Sequence, residues 1–225
     1  MRKLFFAGVL ALSSGAIAEV GWAATAEQLR QTGLSFRQQE RYPEAISALK
    51  QAVALEPKNI SGRVLLGWTQ HRAGQELEAT RTLEETFSLN PFEVPTLNAL
   101  GIVHLVSDRL PAAIATHGWA ALLKADNEVA HYNLSLAFER LGQYNWAIST
   151  AQTAASLEPS NPHPLVALAI AHWGNGNRPL AQQAYRQALA VDGRYGDSAF
   201  LNYLNEAGFS VDQIQRSKLV LQNSR

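Results

Sequence analysis

The sequence predicts an all-α chain: a superhelical solenoid of five helix-turn-helix units, closed at its C-terminal end by capping helices. Three observations predict it. First, residues 26–195 divide into five 34-residue stretches, 26–59, 60–93, 94–127, 128–161 and 162–195, with no insertion or deletion. A fixed period of this length marks a repeat array, in which each unit buries its apolar face only against its neighbours. Second, the columns agree in size. The eighth residue of each unit is Gly33, Gly67, Gly101, Ser135 and Ala169; the twentieth is Ala in all five, Ala45, Ala79, Ala113, Ala147 and Ala181. Small residues recur where two helices approach closely, and the thirtieth column, Leu55, Leu89, Leu123, Leu157 and Val191, is large and apolar. Third, helix breakers recur in phase, with Pro57, Pro91 and Pro159 in the thirty-second column, where Pro supplies no amide donor and clashes with the preceding turn.

The N-terminal segment reads as an export signal. Met1, Arg2 and Lys3 form a short basic start, and an apolar run follows over residues 4–18, broken only by Ser13, Ser14 and Gly15. Ala16-Ile17-Ala18 and Ala24-Thr25-Ala26 each offer the small residues a signal peptidase reads, so cleavage is expected after Ala18 or Ala26. The run falls short of the about 20 residues a spanning helix needs. An uncleaved membrane anchor is the alternative. No Arg-Arg pair precedes the run, which points to the general secretory (Sec) route and to the periplasm or an equivalent extracytoplasmic compartment.

Within the units, the first helix of the fourth should run over about 128–141 with Gly142 as its stop, and the second over about 145–157. Asn161-Pro162 reads as an N-cap followed by Pro at the first helical position of the fifth unit. After the array, Ala199, Phe200, Leu201, Tyr203 and Leu204 can cover the last unit, since a solenoid end needs a cap. Ser210 and Gln213 form a capping box that opens a last helix through Ile214, Leu219, Val220 and Leu221. Residues 223–225 are expected to be a disordered tail.

These motifs resemble the tetratricopeptide repeat (TPR) family. Leu66-Gly67 with Gly74 and Ala79, Leu100-Gly101 with Ala113, Tyr144 with Ala147 and Leu157-Glu158-Pro159, and Tyr42-Pro43-Glu44-Ala45 with Leu55-Glu56-Pro57 all fit its pattern. Thr32, Thr86 and His117 depart from it. The resemblance implies a protein-binding module without chemistry of its own. It further implies that the first helix of each unit lines a concave groove. On these residues the groove is Arg30 and Arg37; Val64, Trp68, His71 and Arg72; Asn98, Ile102 and Leu105; Tyr132, Leu136 and Arg140; and Val166, Ile170 and Trp173. Basic residues gather in the first two units and an apolar stripe follows. A helical or hydrophobic segment of another protein would suit that stripe, with a membrane-complex protein as one possible client. The chain's own last helix is the competing occupant. The family's carboxylate clamp is absent, because Leu34, Pro95 and Ala99 hold its positions.

Composition excludes other classes. Of 225 residues 47% are hydrophobic, and 19 basic residues offset 19 acidic ones, so the chain is neither disordered nor a counterion-displacing nucleic-acid binder. With no Cys there is no disulfide frame, thiolate metal site or thiol nucleophile. No phosphate loop or hydrolase motif appears, so no catalytic residue, cofactor or small-molecule substrate is expected. His104 and His117 fall in core columns of one unit and should meet there. Without a third ligand they make no metal site; a His-dependent metal protein or enzyme-associated subunit is the alternative from that class. Trp119 and Trp146 on second helices raise a further alternative, a homo-oligomer built through convex faces.

Overall fold

A computed structural model describes residues 24–224. The export signal expected over 1–26 therefore lies almost wholly outside the described residues, as does Arg225. Ten helices make the array: α1 (Ala26–Gln38), α2 (Tyr42–Leu55), α3 (Ile60–Arg72), α4 (Glu76–Leu89), α5 (Val94–Val106), α6 (Leu110–Leu123), α7 (Glu128–Arg140), α8 (Tyr144–Leu157), α9 (Pro162–Gly174) and α10 (Arg178–Val191). Each helix packs on the next, and first helices of successive units also touch from α3 to α9. The predicted helical solenoid is the observed fold.

The starts of the helices are chemical. Thr25 and Gln28 form a reciprocal capping box on α1. Asn59, Asn127 and Asn161 cap α3, α7 and α9 through their side chains. Pro43, Pro111 and Pro179 occupy the first turns of α2, α6 and α10, where a missing N–H costs nothing. The turn inside each unit places its fifteenth residue in the left-handed region: Glu40, Gly74, Asp108, Gly142 and Gly176, all with φ between 58° and 79°. Glycine accepts this freely; Glu40 and Asp108 adopt it under the same geometric demand.

The small columns are contact points. All five Ala of the twentieth column are fully buried. Gly33 and Gly67 lie under Leu49 and Leu83, where an added Cβ would stand 2.6 Å from each Leu Cγ. Gly101 lies under His117 in the same way. Thr86, polar in an Ala column, returns its hydroxyl proton to the Thr82 carbonyl at 2.6 Å.

Beyond α10 the chain forms two 3-10 segments, Gly193–Gly196 and Phe200–Ala207, turns at Gly208 (φ 83°), and ends in α11 (Val211–Ser224). Ser210 and Gln213 cap α11 reciprocally at 3.0 and 3.3 Å. The tail corrects one expectation. Asn223 and Ser224 are not disordered but complete the last turn of α11, held by Gln182 Nε2 donating to the Asn223 carbonyl at 2.7 Å. α11 packs on α9 and α10, and the largest core cluster joins units three to five to this C-terminal cap. Units one and two hold smaller clusters, so the array is thin at its N-terminal end and thick at the other.

Candidate binding cleft

The concave columns divide into a filled half and an open half. In units three to five the chain's own C-terminal segment lies on them. Leu105, Leu136, Val166 and Ile170 have no exposed surface and join Phe209, Ile214, Val220 and Leu221 in one core. Tyr132 donates its hydroxyl proton to the Ala207 carbonyl at 2.6 Å, and its ring stands 6.2 Å from Phe209. Gly208 comes so close to Leu105 and Leu136 that an added Cβ would touch both at 3.7 Å. Leu105, Leu136, Val166 and Ile170 are therefore core here and not a surface open to a partner, while Tyr132, buried but for its edge, also lines the open cleft. The physical reason is plain: an apolar stripe is covered by the nearest apolar segment, and that segment is covalently attached.

A buried carboxylate fastens the cap. The Glu139 side chain is 1% exposed, pairs with Arg216, and accepts a hydrogen bond from Gln213 Nε2 at 2.8 Å. The same Nε2 donates to the Leu136 carbonyl. Glu139, Gln213 and Arg216 were not foreseeable as a set, because 74 residues separate Glu139 from Gln213.

The open half is a cleft of about 830 Å³ between units one to four and the Gly208 turn. Trp68, His71, Arg72, Ile102 and Val106 line one side; Glu128, Val129 and Asn161 line another; Glu206, Phe209 and Val211 form the C-terminal wall. Trp68 is half-buried against the unit-two core, and His71 packs on it with ring centres 5.0 Å apart and planes tilted by 46°. His71 Nδ1 also meets the Glu76 carboxylate at 3.0 Å. Val64 packs beneath. Asn98 does not face the cleft freely; it exchanges amide hydrogen bonds with Asn127, at 2.9 and 3.2 Å, and so ties α5 to the N-cap of α7. Trp173 lies under the Arg178 guanidinium at 3.4 Å, away from the cleft lining.

The basic cluster expected in the first two units is present, but Arg30 and Arg72 are matched within the chain. Arg30 donates to Glu27 and to Glu56, at 2.7 and 2.6 Å. Arg72 pairs with Glu206 at 3.0 Å, and Arg140 with Asp108 at 2.6 Å and the Leu105 carbonyl at 2.7 Å. Arg37 is partly buried and lies outside the cleft lining. Among the described residues, the cleft group without a counter-charge is a carboxyl. Glu128, half-buried at the start of α7, has its carboxyl pushed up to about 7, first by burial and then by the neighbouring Glu158 carboxylate. The Asn161 amide reaches both, at 3.5 and 3.1 Å.

His104 and His117 do lie together inside unit three. Burial holds His117 down at about 3 and His104, beside Arg109, at about 4, so both rings are neutral. Neither ring nitrogen of His117 makes a well-formed hydrogen bond. Among the described residues no group of three His, Asp or Glu side chains is placed to hold a metal ion.

Comparison with known proteins agrees with this architecture. A TPR repeat family model matches residues 33–74, and tetratricopeptide repeat models match residues 129–161 and 166–209. The chain is a tetratricopeptide repeat protein. Among solved structures, this TPR chain is similar to a crystal structure of MamA protein, with a TM-score of 0.66 and 23% identity over 75% of this chain and 92% of that one. A MamA from Desulfovibrio magneticus gives 0.68 and 17% over 74% and 94%. A thermophilic TPR protein of Thermus thermophilus gives 0.63 and 18% over 88% and 100%. At these identities the likeness is one of fold. No curated protein sequence matches the chain.

Proposed function

We propose that this TPR protein is a non-catalytic scaffold that takes a segment of another protein in the cleft left open on its concave face. The carrying observation is the division of that face. The chain's own C-terminal segment fills units three to five, and a cleft of about 830 Å³, floored by Trp68 and Ile102, stays open beside it. An aromatic side chain in a preformed concavity is the usual anchor of a protein contact. TPR proteins in general bind other proteins, which supports the same reading. A Sec-type signal over residues 1–18 would place this work outside the cytoplasm, where a membrane complex is one client. Cleavage after Ala18 fits the fold better than cleavage after Ala26, which would remove the Thr25 cap and the buried first residue of α1.

The test is co-purification from the native host with Trp68→Ala and, as a convex control, Trp146→Ala. Loss of the partner with Trp68→Ala alone, at unchanged circular dichroism, is the expected result. Loss with Trp146→Ala alone would move the contact to the convex face. One observation favours that second reading, a homo-oligomer. α6 and α8 carry no charged residue over 28 positions, 14 in each, and expose Leu122 at 74% and Trp146 at 63%. Sedimentation at rising concentration, with Leu122→Lys beside the unaltered chain, separates the two.

A further inference from the structure

The charge balance of the cleft says what kind of segment it takes; this rests on the reading that a partner occupies the cleft at all. Two guanidiniums line it, those of Arg72 and Arg140, and each is already paired within the chain, to Glu206 and to Asp108. The lining carboxylates are Glu40, Glu76, Glu128 and Glu206, so acids outnumber bases and the bases are taken. Glu76 faces His71, and Glu206 faces Arg72. Glu128 has no cationic partner among the described residues; its carboxyl hydrogen-bonds the Glu158 side chain. Among the described residues its charged neighbour is Glu158, a second carboxylate, and the Asn161 amide is what spans the two. His163, nearby in the same region, is kept neutral by burial. A half-buried carboxylate beside a like charge is unfavourable until a cation is brought to it. The apolar floor of the same cleft, Trp68 with Ile102 and the exposed Val106, asks for a large apolar side chain.

We infer that the cleft takes a basic, apolar segment of a partner protein, with a Lys or Arg seated on Glu128 and an aromatic or aliphatic side chain over Trp68 and Ile102. This reverses what the arginine-rich columns of units one and two suggest from sequence, because Arg30 and Arg72 answer carboxylates of their own chain and Arg37 lies outside the cleft lining.

The experiment is selection of a displayed random octapeptide library on the immobilised full chain at low ionic strength, with Trp68→Ala as counter-selector. Peptides that combine Lys or Arg with a large apolar residue should be enriched over those with Asp or Glu. A labelled peptide from that pool, titrated by fluorescence anisotropy, should bind Glu128→Gln about tenfold more weakly, the loss expected for one charge-assisted contact. Enrichment of acidic or uncharged peptides overturns the inference and leaves the cleft reading intact. So does basic enrichment that Glu128→Gln does not weaken. If nothing is enriched over Trp68→Ala, the cleft reading falls and takes this inference with it.

Discussion

His117 gives the sharpest test of the packing argument. It occupies the column that holds Leu49 and Leu83 in the first two units, fully buried over Gly101 as those leucines are over Gly33 and Gly67. Its imidazole is held neutral in the fold, at about 3 against an ordinary value of 6.5. In the unfolded chain it protonates normally. Between those two values the unfolded chain binds the extra proton, so stability must fall as the pH falls. From pH 7 to pH 5 this one ring should remove about 2 kcal/mol, since each unit below 6.5 costs about 1.4 kcal/mol. His117→Leu removes that dependence and also two buried, poorly partnered nitrogens. The cavity accepts Leu, as the two preceding units show.

Urea unfolding followed by far-ultraviolet circular dichroism at pH 7 and pH 5 reads the effect. His117→Leu should be at least as stable as the unaltered chain at pH 7 and should keep most of that stability at pH 5. His104, held at about 4 by burial and by Arg109, supplies a residual slope in both proteins. If the variant and the unaltered chain lose the same stability on acidification, the buried imidazole is not the source and the argument is wrong.

Three further outcomes follow from particular contacts. Gly67→Ala drives a Cβ to 2.6 Å from Leu83 Cγ and should cost about 1–3 kcal/mol of unfolding free energy, whereas Gly142→Ala, with open space around it, should cost only the strain of its positive φ. Arg216→Met leaves the buried Glu139 carboxylate with Gln213 alone and should cost about 3 kcal/mol, seen as faster amide exchange along α11 with α1 to α4 unchanged. Glu128→Gln should stabilise the fold at pH 8 and not at pH 5. Its raised folded value means that stability is present below about 4.5 and is lost as the pH rises through about 7, which thermal melts at the two pH values would show.

What the sequence made legible is what the repeat geometry forces. The Ala and Gly columns must be small because two helices touch there, and they read correctly without coordinates. The turn glycines, Gly74, Gly142 and Gly176, announce a left-handed residue; Glu40 and Asp108 do the same job silently, because the demand comes from the turn and not from the residue. The concave stripe was legible as apolar but not as occupied. Leu105, Leu136, Val166 and Ile170 have the same chemistry whether a partner or the chain's own tail covers them. Charge pairing was least legible of all, since the carboxylate that answers Arg72 lies 134 residues away.

The cap decides how much recognition surface remains, and its chemistry explains why it is a fixed part of the fold. An end cap needs only to cover the last unit, yet this one turns back at Gly208 and reaches Leu105, two units upstream. α11 buries Gln213, Ile214, Ser217, Val220, Leu221 and Ser224, the spacing of a single helical face. The helix also supplies Gln213 and Arg216 to Glu139, and removing them would leave a buried carboxyl without its partners. The filled half is therefore locked by a polar requirement as well as an apolar one. The cleft under Trp68 and Ile102 has the opposite character: it combines apolar side chains with Glu128, a carboxyl that has no cationic partner among the described residues.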